Sequence, residues 1–238
     1  MEDNKYAEVS SQQLEIAETN LQAFRNGLLK NLTAATEPIT PRVAFKVLIY
    51  REALSWRVIE LGEGAAVAIK SGNPLAGIIL TRALVECAAA YHFLCKKLER
   101  CVEQNSVDEL DEAAKKFILG SRWEDWEFSA TNILTMIDGA NRDCPGLRKN
   151  YDHLSEFCHP NYSGVAMIFS NPTGSFDVSL GRYLGGTERL NWTATNSMTA
   201  ALMLFEHYYN SSADLLPNII DLCHRDLETN RDNSNTID

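Results

Sequence analysis

The sequence predicts an all-α protein, a helical bundle of about six to eight helices with one small β-hairpin inserted late. Three observations predict it. Apolar residues recur at three- and four-residue spacing through most of the chain, the period of a helix with one buried face. Prolines and glycines cluster between these segments, where helices start and stop. Short β-prone runs are confined to one stretch, GVAMIFSNPTGSFDVSLG at 164–181. The 238 residues, 45% of them hydrophobic, suffice for one large domain with a real core.

Taken in order, residues 6–33 form a first helix, with Leu14, Ala17, Leu21, Phe24, Leu28 and Leu32 on its apolar face. TEPITPR breaks the chain, and Pro41 suits the start of a second helix over 42–70, with Gly62 and Gly64 as bending points. SGNP ends it, and Pro74 opens a third helix to about residue 102. Ser106 caps a short helix, SVDELDEAAKKFILG. SRWEDWEFSATNILTMIDGA reads as another helix, and NRDCPG as a turn. Pro145 begins the next helix, which ends at His159-Pro160. The hairpin insertion spans about 163–181, centred on SNPTG, and GRYLGG is a loop. Two helices close the fold, over about 190–210 and 214–227, with Pro217 in the first turn of the second. One domain over 1–228 and a disordered tail over 229–238 are therefore expected.

The net charge of −10 disfavours a broad nucleic-acid surface. The polar start MEDNKYAEVSSQQLE has no apolar signal core. Six cysteines (87, 95, 101, 144, 158 and 223) include no CxxC pair, so a reduced cytoplasmic protein without structural zinc or disulfides is expected. LAGIILTRALVECAAAYHFLC at 75–95 is apolar enough to suggest a membrane span. Arg82 and Glu86 stand in its middle, however, and each charge costs ~2.5–3.5 kcal/mol at a bilayer centre. A buried helix of a bundle fits better.

The stretch YDHLSEFCHPN at 151–161 concentrates polar chemistry. At ~100° per residue, Leu147, Tyr151, Leu154 and Cys158 form a core stripe, with Arg148, Asp152, Ser155 and His159 along one flank. His153 points elsewhere and is expected in solvent. His159 stands at a helix C-terminus, where the macrodipole favours a protonated imidazole, and Pro160 holds its backbone extended. On the third helix Arg82 and Glu86 are spaced i, i+4 between two apolar faces. Such a pair either locks packing register or lines a polar pocket.

R-A-L-V-E at 82–86, after NPLAG, and Y-x-x-L-S-x-x-x-H-P at 151–160 together resemble a family of uncharacterised bacterial all-helical proteins. The resemblance spans about residues 40–165. It implies a helical fold and a shared polar cluster of Arg82, Glu86, Tyr151, Ser155 and His159. Arg148 and His153 also fit the R-x4–6-H signature of HEPN-type bundles, many of which serve in toxin–antitoxin and anti-phage systems. That wider similarity implies metal-independent endoribonuclease chemistry. Arg148 or Arg82 would bind phosphate, His159 would serve as acid or base, Ser155 would stand beside it in the site, and Tyr151 and Glu86 would orient. No cofactor is expected; RNA or a protein is the candidate partner.

Two other readings stand beside this one. Glu156-x-x-His159 and Asp221-x-x-His224, with Glu60 and Glu86, match the pattern of a di-iron carboxylate bundle. A non-catalytic binding or assembly module is the alternative from another class, with Trp123, Trp126 and Phe128 as a partner face and TAALMLFEHYY as a core or interface helix. A homodimer paired through an apolar helix face is expected. No G-x-S-x-G elbow or G-x-G-x-x-G loop is present.

Overall fold

A computed structural model describes residues 2–37, 39–184 and 186–234. The expected class is observed. Among the described residues the order is α1 (Glu2–Gly27), α2 (Arg42–Lys70), α3 (Pro74–Gln104), α4 (Leu110–Leu119), α5 (Ile133–Asp143), α6 (Leu147–Cys158), a π-helical turn (Tyr162–Ala166), α7 (Met167–Phe169), β1 (Ser170–Pro172), β2 (Val178–Leu180) and α8 (Glu188–Ser234). The two strands pair antiparallel, with Ser170 opposite Leu180, Asn171 opposite Ser179 and Pro172 opposite Val178.

Helix α3 is the axis of the bundle. It packs against α8 and α2 along its length and against α5 and α6 on another side. Its Ile78, Leu84, Val85, Ala88, Tyr91, Leu94 and Leu98 are all shut off from solvent, which explains why so apolar a segment needs no membrane. α1 covers α8 and α2. Gly62 makes room for α1, because a Cβ there would stand 2.6 Å from the Leu21 side chain. Asn73 caps α3 by accepting a hydrogen bond from the Ala76 amide, and Asn105 ends it in the left-handed region at φ 52°.

The structure departs from the sequence expectation at several places. Ser106 does not cap α4: it accepts from the Asp108 amide in the preceding turn, and the helix starts at Leu110 after Glu109. α1 stops at Gly27 rather than running to residue 33. SRWEDWEF is not helical: Asn132 accepts from the Leu134 amide and starts α5 only at Ile133. Trp123 and Trp126 meet edge to face in the preceding loop, with Trp123 74% exposed, so they are not core. VAMIF is helical rather than β, because the π turn and α7 carry it and bury Ile168. The two expected final helices are one, α8, which passes through Pro217 and remains helical to Ser234. Burial of Ile219, Leu222 and Cys223 against α2, α3 and α4 outweighs the hydrogen bond that the proline forfeits. The expected tail thus starts no earlier than 235; residues 235–238 lie outside the described residues.

Candidate functional site

α3 and α6 face each other, and their polar residues meet there. Helical spacing sets Arg82 and Glu86 one turn apart on α3, and Tyr151 and Ser155 one turn apart on α6. Leu147, Tyr151, Leu154 and Phe157 anchor α6 in the core and fix the height of Ser155 against Arg82. Arg82 Nε donates to Ser155 Oγ at 2.8 Å, and Nη2 donates to the Tyr151 hydroxyl at 2.5 Å. The hydroxyl in turn donates to Glu86 Oε1 at 2.9 Å, and Ser155 donates to the Tyr151 carbonyl at 2.8 Å. Arg82 Nη1 stands 3.3 Å from Glu86 Oε1, and the guanidinium lies 4.7 Å from the Tyr151 ring centre. The contacts run from Arg82 to Ser155, to Tyr151, to Glu86 and back to Arg82, so the ring is closed.

The site is half-buried. The Arg82 and Glu86 side chains keep 30% and 25% of their exposure. Burial, then the hydrogen bond to Glu86, pushes the Tyr151 phenol above its usual range, with Arg82 acting the other way. Cys158 sits at the edge of the cluster, its thiol raised by burial.

The other expected site residues are elsewhere. Arg148 faces α5: its Nε meets both Asp152 oxygens at 2.9 Å, and Nη1 meets Asp138 at 2.6 Å. Its guanidinium is already held by two carboxylates and does not join Arg82. His159 is exposed and C-caps α6 in extended backbone, as Pro160 dictates. Its ring makes no hydrogen bond to Arg82, Glu86, Tyr151 or Ser155. The helix ends at Cys158, so the flank drawn from Arg148 to His159 loses its last member. His153 is exposed, as expected, with its ring edge-on to Phe157 at 5.2 Å. It borders a groove of about 280 Å³ with Lys149, Asn150, Trp192 and Asn196. The di-iron ligand set does not assemble: among the described residues no group of three or more His, Cys, Asp or Glu is placed to hold a metal ion.

Two polar networks escaped the sequence reading. Arg51 and Glu52 are paired and buried, 6% and 5% exposed, between α2 and α8. Arg51 Nε donates to Ser212 Oγ and Nη2 to the Tyr209 carbonyl, both at 3.0 Å. The spacing of Arg51, Ser55 and Val58 on the buried face of α2 carried that signal. His92, also buried, bonds Asp143 at 3.0 Å, and Lys96 joins the same carboxylate at 3.1 Å.

All six cysteines are free thiols. Burial pushes Cys87 and Cys223 up to about 11 and, with Glu99 beside it, Cys95 up to about 12. Maleimide at pH 8, which reacts with thiolates, is therefore expected to spare these three in the folded protein and to label the half-buried Cys144 and Cys158 first. Peptide mass mapping checks this; equal labelling of all six before unfolding would contradict the packing described.

The fold and site define a helical bundle with a closed polar ring between two of its helices. Comparison with protein-family models, with curated proteins and with solved structures finds no match for this chain.

Proposed function

We propose that the protein is a non-catalytic binding and assembly module that docks a protein through the segment 162–184. One observation supports this best: an unusual run of exposed apolar side chains. Phe176 is fully exposed, Leu180 80% and Tyr162 73%, and Val165, Val178 and Leu184 are also exposed. A concentration of exposed apolar side chains along one short segment is what interaction sites present. The segment is nonetheless held firmly at its base. The Tyr183 hydroxyl donates to Asn73 at 2.7 Å, and Phe169 packs on Tyr183. In this reading the Arg82 ring welds α6 to α3 and so sets where the segment projects. The free thiols suit a reducing, cytoplasmic setting.

The test is a photo-crosslinking amino acid placed at Phe176 in the full chain, expressed in its own cell. A protein adduct that disappears with Leu180→Lys supports docking. Absence of any protein adduct above that from an exposed control position on α1 rejects it.

The second reading is a metal-independent endoribonuclease of the toxin or anti-phage kind. It is favoured by the convergence of Arg82, Tyr151 and Ser155, since a part-exposed guanidinium beside two hydroxyls suits a phosphate. RNA cleavage in EDTA that is lost in Arg82→Ala and in His159→Ala and kept in His153→Ala would support it. Absence of cleavage by the wild type on several RNAs would remove it.

A further inference from the structure

We infer that the docking partner is a second copy of this chain, joined by antiparallel pairing of strand β2 with itself across a two-fold axis. This rests on the docking reading and names its partner.

The argument starts from the hydrogen bonds inside the hairpin. The Thr173 amide donates to the Asp177 carbonyl, and the Gly181 amide to the Phe169 carbonyl. With the observed register, residues 171 and 179 form the bonded pair between these two. The N–H and C=O groups of Val178 and Leu180 therefore point away from β1, along the outer edge of β2. The outer edge of β1 is different, because Pro172 has no N–H to offer. Only β2 presents an open edge, and it is not blunted: between Phe176 and Gly181 the sole charge is Asp177.

A two-stranded ribbon standing in water is marginal, and every residue of β2 is exposed. Adding a third and fourth strand completes the sheet. Centred on Ser179, the pairing sets Val178 of one copy opposite Leu180 of the other. Each such pair exchanges two hydrogen bonds, and the symmetry supplies the pair twice. Val178 and Leu180 alternate onto one face, so the four side chains form one apolar stripe. The fully exposed Phe176 lies just outside the paired strands, at the turn that precedes β2. Val178 and Leu180, 54% and 80% exposed, supply the apolar surface that the pairing covers. An unrelated partner strand could use the edge, but a second copy matches it by symmetry, with Val178 against Leu180 twice and the small Ser179 against itself at the centre. The expected homodimer thus pairs through a strand edge rather than a helix face.

Sedimentation equilibrium of the purified full chain tests this. The wild type is expected at twice the chain mass of 26.6 kDa. Leu180→Lys, at an exposed position that the fold does not need, is expected to weaken the dimer about tenfold or more. Ser179→Cys supplies a positive test. Directly opposed, non-hydrogen-bonded positions lie ~4.5 Å apart at Cα, within disulfide range. Mild oxidation should link Ser179→Cys chains and leave wild type and Ser175→Cys unlinked. A single-chain mass at about 100 µM overturns the inference. So does a dimer indifferent to Leu180→Lys that Ser179→Cys fails to link. If the chain stays single while the Phe176 probe captures a different protein, the self-pairing falls and the docking reading stands. If the probe captures none, both fall.

Discussion

Arg51→Ala is expected to destabilise the bundle by about 3–5 kcal/mol, because it leaves a buried carboxylate without its cation. Arg51 joins α2 to α8 by its bonds to Ser212 and Tyr209 and by stacking 3.7 Å over the Tyr209 ring. Glu52, its neighbour in sequence and partner in the pair, already has one oxygen, Oε2, with no hydrogen-bond partner. Truncation therefore strands the whole carboxylate, while the Ser212 hydroxyl keeps its bond to the Tyr209 carbonyl. The Arg51 carbonyl keeps its bonds from Ser55 and Tyr91, so the loss is confined to the side chain. Urea unfolding followed by circular dichroism reads the effect. The double variant Arg51→Met with Glu52→Leu should recover most of it, since removing both charges removes the desolvation cost. A single Arg51→Ala variant within about 1 kcal/mol of wild type would show that water reaches the pair.

The second large effect is expected at Gly164. A Cβ there would stand 2.0 Å from the His159 carbonyl oxygen and 3.1 Å from that of Phe157. Both are backbone atoms at the end of α6 and cannot swing aside. Gly164→Ala must open the π turn, and it is expected to cost about 2–4 kcal/mol. Because this turn launches the hairpin, the variant should also weaken dimerisation. Gly27→Ala is the control, since nothing lies within 4 Å of a Cβ there. Wild-type stability in Gly164→Ala would contradict the close backbone contact. The turn joins α6, which carries Tyr151 and Ser155, to α7 and the hairpin.

Much of this was legible from sequence for local reasons. Pro41 and SGNP bracket α2 at its observed ends. The i, i+4 spacing in RALVE and in Y-x-x-L-S put the right pairs on the right faces, and the helix packing then joined them. His159 stands outside the Arg82 ring because α6 ends at Cys158, one residue before it. Arg148 stands apart from the ring because Asp138, ten residues earlier and on α5, holds its guanidinium, a neighbour that sequence spacing does not reveal. Arg51 and Glu52 were passed over because adjacent opposite charges read as a solvated face until α8 covers them. The same tertiary burial carries α8 through Pro217. The hairpin's position could be read from SNPTG, but its open edge could not. Which strand points its N–H groups outward depends on register, and register follows from the turn actually made.

The most direct measurement is amide hydrogen exchange at Val178 and Leu180 in the purified full chain, across a range of concentrations. Self-pairing predicts that both amides become protected as concentration rises, while Ser179, already bonded within the hairpin, changes far less. Fast exchange at Val178 and Leu180 at every concentration would contradict the assembly of this protein through β2.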